Sequence, residues 1–153
     1  MQEITTNLAA KPNGFYQGFL EGHELSSIMF SLGDATFTKE MLADALHQGS
    51  DLGFEYAQAL MFETQKLLFS AFRRRPQKVT REVVADEPKT FVLAILHKLP
   101  AKEVVWKTIS YGYTAEDLAK LYAKDDPIAV GYVTNLISVA RNLLAFKANP
   151  DDL

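Results

Sequence analysis

No cysteine occurs anywhere in the 153 residues. That rules out disulfides, thiolate metal sites and a cysteine nucleophile, and it fits a reducing compartment. A surplus of one charge is lacking as well: 16 basic and 19 acidic residues leave −3, too little for a general attraction to nucleic acid or a membrane. No apolar run is read as approaching the ~20 residues that a bilayer-spanning helix needs. The opening MQEITTNLAAKPNG has no basic start followed by an apolar stretch, so no secretory signal is read there. Together these absences lead to the expectation of a cytoplasmic protein that does not engage a membrane. A Gly-rich phosphate loop, a Ser-His-Asp arrangement and a zinc signature are also missing. The chain is therefore expected to be no enzyme and to need no cofactor or metal.

What is present is ordinary globular material. Hydrophobic residues make up 48% and charged residues 23%, enough to bury a core in one domain. Residues 1–14 read as a flexible arm ending in the turn signal Pro12-Asn13-Gly14, residues 15–148 as a single helical domain, and 149–153 as a tail. Phe15 to Leu32 carries apolar residues at helical spacing and closes at Gly33-Asp34. Thr36 or Thr38 caps the next helix, which stops at Gly49. Pro88, behind Asp86 and Glu87, opens a helix through Leu99. Thr114 with Asp117 resembles a capping box, and Asp126-Pro127 opens a last helix through Lys147. That helix has an apolar stripe over half its surface, so it is expected to be central and largely buried. The fold class is all-α, a compact bundle of about six to seven helices. Residues 78–84 and 104–113 are rich in β-branched and aromatic side chains, and a minor β-hairpin between them is the alternative.

The segment from Asp51 to Arg75 reads as one long amphipathic helix. At about 100° per residue, Phe62 and Phe69 project from its polar face, among Glu55, Gln58, Glu63, Gln65, Lys66 and Arg73. Another helix or a partner must cover them. As a contact surface, Phe62 and Phe69 would be apolar anchors within a polar rim of Gln58, Gln65, Lys66 and Arg73.

Arg73, Arg74, Arg75, Lys78 and Arg81 form the basic cluster, a candidate for an anion or a nucleic-acid backbone. Basic residues also neutralise a helix C-terminus, and Glu82, Asp86 and Glu87 follow at once. Residues 114–132 have the length of a helix-turn-helix, but Pro127, Ile128, Ala129, Val130 and Gly131 offer nothing to read base edges. An ordinary helical hairpin is the better reading. Asp44 and His47 stand three apart, as in a helical metal site, without the further carboxylates a di-iron bundle requires. Gly14, Gly18 and Gly22, and again Gly49, Gly53 and Ala57, are spaced by four and suit close helix packing. Trp106, Tyr111 and Tyr113 make an aromatic patch that suits a core, a pocket or stacking on a base.

The expected function is a non-enzymatic protein-interaction module of the adaptor, inhibitor or assembly kind, binding a protein partner or a second copy of itself through a helix face. The alternatives are a nucleic-acid-binding protein using residues 73–81, and a small helical metal-binding protein or enzyme.

Overall fold

The computed structural model describes residues 15–70, 75–85 and 88–149. The arm at 1–14, residues 150–153 of the tail expected at 149–153, and Arg73 and Arg74 of the basic cluster lie outside the described residues. The chain is mostly helical, with two small antiparallel strand pairs, so the all-α expectation holds in outline only.

After a 3₁₀ turn at Gly18–Leu20 come β1 (Ile28–Leu32) and β2 (Ala35–Thr38). Helix α1 spans Lys39–Gln48, α2 Asp51–Phe69, α3 Arg81–Ala85 and α4 Pro88–Lys98. Strands β3 (Val104–Lys107) and β4 (Gly112–Thr114) precede α5 (Ala115–Ala123) and α6 (Pro127–Ala148). The buried side chains of these elements form one continuous core around α2, which packs against α1, α3, α4 and α6.

The caps were the most legible feature. Thr38 accepts from the Met41 amide and Thr114 from the Asp117 amide, while Asp126 accepts from that of Ile128. Each hydroxyl or carboxylate satisfies an orphan amide of a first turn. Gly49 ends α1 with φ of 67°, the left-handed turn that costs glycine least. Gly53 then lets α2 cross closely over α1, since a Cβ there would lie 2.7 Å from the Ala45 carbonyl oxygen.

Two expectations fail. The helix proposed from Phe15 to Leu32 is broken after Leu20, and its second half is β1, paired with β2. Gly33-Asp34 is the two-residue loop of that hairpin, not a helix stop; Gly33 has φ of 57° in its first position, as Gly-X hairpin turns require. The second hairpin joins β3 to β4 within 104–114, so residues 104–113 turn back on themselves, and 81–85 is helical.

The face of α2 that looked wet is interior only in part, since Glu55, Lys66 and Ser70 are exposed. Glu63, Thr64 and Gln65 are its buried polar residues. Gln65 donates from Nε2 to the Gln77 carbonyl at 2.8 Å and accepts the Gln77 amide at 2.9 Å. Gln58 donates to the Val79 carbonyl at 2.8 Å. The segment 75–80 is thus strapped along α2 by side-chain amides that mimic a strand neighbour. Glu63 takes the Lys147 ammonium of α6 at 2.9 Å and that of Lys66 at 3.5 Å. A nearly buried carboxylate needs such a counter-charge.

Candidate functional site

The structure separates the two phenylalanines on α2. Phe69 is buried at 3% exposure, inside the core, whereas Phe62 is partly buried at the mouth of an open groove. That groove, of about 590 Å³, runs between β1, α2 and the strap and is lined by Phe30, Leu32, Glu55, Gln58, Phe62 and Val79 among others. Gln65 is fully buried in its clamp, and Gln58 is tied to the strap. Lys66 is exposed, with its ammonium 5.7 Å from the Phe62 ring centre. The anchor-and-rim surface expected on α2 is therefore not assembled: Phe69 and Gln65 face inward because the strap and α6 cover that side.

The basic cluster is also divided. Arg75 and Lys78 are exposed, but Arg81 binds Asp51 at 2.7 Å and lies over the Phe54 ring at 4.9 Å. Asp44 and His47 are exposed on α1, and among the described residues no three histidine or carboxylate side chains gather as a metal site.

Helix α6 carries the surface that the sequence reading assigned to the core. One face packs on α2 and β1 through Ala129, Val133, Ile137, Ala140 and Leu144. Its opposite face is open. Ile128 is 49% exposed, Val139 37%, Leu143 36% and Phe146 48%. At 100° per residue these four and Tyr132 fall in one stripe, and Tyr132, Leu136, Val139, Leu143 and Phe146 alternate by four and three, as in a helix-pairing seam. Gly131, Thr134, Asn135 and Asn142 are the polar or small residues exposed beside them.

Charge is absent from this face. The two charged residues of α6, Arg141 and Lys147, lie off this stripe and are paired: Arg141 donates to the Phe19 carbonyl at 3.0 Å and to the Asn142 side chain, and Lys147, half exposed, binds Glu63. The helix meets the length and composition of a membrane span, contrary to the expectation that no run approaches it. It is, however, tied to the rest of the fold along its whole length, ending where Asn149 donates to the Ile28 carbonyl at 2.8 Å.

The apolar surface continues off α6 onto the second hairpin. Tyr132 stacks on Trp106 at 4.6 Å between ring centres, Trp106 on Tyr113 at 4.9 Å, and Tyr113 meets Tyr111 edge-on at 4.7 Å. Burial pushes the Tyr132 phenol above its ordinary pKa, and its hydroxyl points to the Val105 carbonyl at 3.5 Å. Trp106, Tyr113 and Tyr132 are partly buried, while Tyr111 is 54% exposed. The aromatic patch seen in the sequence is thus a ladder, with α6 as its inner rail. Comparison with protein-family models, curated proteins and solved structures finds no match for this chain.

The signal for the α6 surface was in the sequence. A helix of 22 residues with two charged side chains has too few to solvate its outer face, and the breadth of the stripe alone concealed that.

Proposed function

We propose that this chain is a non-enzymatic protein-interaction module whose binding surface is the outer face of α6 with the adjoining aromatic ladder. The observation that carries this reading is the charge-free exposed stripe Ile128, Val139, Leu143, Phe146. Interfaces lose charge at their centre and gain aromatic residues, and a contiguous apolar patch of several hundred Å² on a folded domain marks a contact site. A lipid surface is the less favoured occupant, because interfacial helices carry lysine and arginine on their polar flank and this face carries asparagine and threonine. The nucleic-acid reading has less support, since Arg81 of the basic cluster is already held by Asp51.

The test is a photo-crosslinking side chain at position 139, with one at Lys120, exposed on α5, as the control. Adducts to protein from position 139 and few from position 120 are expected in the native host. Absence of protein adducts at 139, or flotation of the chain with lipid vesicles that Val139→Glu abolishes, would overturn the reading.

A further inference from the structure

We infer that the groove beside Phe62 is a slot for an extended peptide segment of another protein, which enters as a strand between β1 and the strap. The groove is separate from the α6 face, and the inference does not rest on the reading of that face.

The backbone of β1 specifies an extended occupant. Gly33-Asp34 closes the first hairpin in two residues, so Leu32 and Ala35 exchange hydrogen bonds and the next pair, Ser31 and Thr36, does not. The amide and carbonyl of Ser31 therefore point away from β2, towards the free edge of β1. Phe30, Ser31 and Leu32 all border the groove. Three consecutive residues do so along the edge of a strand, whereas its face offers alternate ones. Further along the same edge, the Lys39 amide bonds to the Ser27 carbonyl at 2.8 Å, which turns Ile28 outward too. The Ile28 carbonyl is covered there by the Asn149 side chain. Ser31 has no such cover among the described residues.

The opposite wall repeats the arrangement. In the strap, Gln77 and Val79 turn backbone groups to Gln65 and Gln58 of α2. An extended chain alternates, so the amide and carbonyl of Lys78 between them point the other way. They too have no partner among the described residues, and Lys78 lines the groove. A bare strand edge is a template for another chain. A segment laid in this groove meets Ser31 on one side and Lys78 on the other. In strand addition the main-chain bonds give affinity and alternate side chains give specificity.

The lining sets those side chains. Phe30, Phe62 and Val79 are apolar, so every second residue of the segment is apolar. Arg75 and Lys78 of the strap are exposed, and neither has an ion pair among the described residues. Glu55 is the carboxylate of the lining, on the α2 side. The segment is therefore acidic where it borders the strap. The groove volume of about 590 Å³ falls within the range of clefts that hold ligands.

The probe is a phage-displayed library of random linear peptides, panned on the full chain. Enriched peptides should alternate apolar residues, carry an acidic residue, and shift the amide resonances of Ser31 and Lys78. Ser31→Pro removes an amide that the hairpin does not use, a change that edge strands tolerate. It should weaken a selected peptide about tenfold, the loss of one hydrogen bond, with an unchanged circular dichroism spectrum. If that chain fails to fold, the peptide is altered instead: N-methylation at a central amide should also cost about tenfold. Failure to enrich any peptide, or enriched peptides indifferent both to Ser31→Pro and to N-methylation at every amide, would overturn the inference. So would self-association by light scattering that Ser31→Pro abolishes, since a second copy would then fill the slot. Peptide binding lost in Val139→Glu would place the peptides on α6 and sink this slot alone. Peptide binding kept in Val139→Glu, with no protein adducts from position 139, would uphold the slot and sink the α6 reading.

Discussion

Phe62 and Phe69 occupy the same side of α2 two turns apart, and truncating each to alanine should give unequal losses. Phe69 is 3% exposed within the core, so Phe69→Ala removes a buried ring and leaves an enclosed void. The transfer and cavity contributions together cost about 4 kcal/mol. Phe62 borders an open groove, into which water and the Lys66 side chain can move. Only the transfer contribution is lost there, about 2 kcal/mol for a partly buried ring. With a urea m-value of about 2 kcal/mol/M, the midpoint should fall by about 2 M for Phe69→Ala and by about 1 M for Phe62→Ala. Equal losses would refute the reasoning. So would a Phe69→Ala chain that unfolds at the wild-type midpoint, since the ring would then have been facing outward.

The two helical glycines should respond in opposite directions. Gly53→Ala drives a Cβ to 2.7 Å from the Ala45 carbonyl oxygen and should cost about 1–2 kcal/mol even after the gain in helix propensity, whereas Gly131→Ala, whose Cβ meets no atom within 4 Å, should stabilise by about 0.5–1 kcal/mol; both are read by urea unfolding. The Tyr56 hydroxyl is buried and finds no hydrogen-bond partner among the described residues, and burial holds its phenol above the ordinary pKa. Tyr56→Phe should therefore raise stability by about 1 kcal/mol, and a drop in melting temperature would show that the hydroxyl is bonded. His23 has its pKa held below the usual 6.5, by desolvation first and then by the positive charges of Arg141 and Lys39. The unfolded chain binds that proton more readily, so stability is full above about pH 6.5 and is lost as pH falls through the lower folded value. Unfolding between pH 7 and 5.5 should show this decline, and His23→Gln should flatten it.

Sequence reasoning reached the helices whose ends carry their own chemistry. Thr38, Thr114, Asp126 and Gly49 act through atoms two to four residues away, so local spacing is enough to find them. It failed between Ile28 and Thr38, where Gly33-Asp34 fits both a helix stop and a hairpin loop; the choice was made by Met29 and Phe30 packing into the distant core. It failed again over which faces are wet. Gln58 and Gln65 are polar side chains that happen to reach backbone groups of the strap, a partnership invisible in any helical projection. The same tertiary choice turned α2, the helix with the more polar face, into the centre and left α6 as an outer wall. The aromatic residues at 106, 111 and 113 were legible as a cluster, but their continuation onto Tyr132 depends on how α6 crosses the hairpin.

The ion pair from Glu63 to Lys147 ties the middle of the chain to its last long helix. A ribosome delivers α2 well before α6, and a domain generally folds as a unit. Until residue 147 is available, Glu63 has only Lys66 at hand, and β1 lacks the helix that later covers it. The last long helix brings the counter-ion, the cover for β1 and the anchor to Phe19 at once. The helix that closes the core is therefore the same one that carries the charge-free outer stripe.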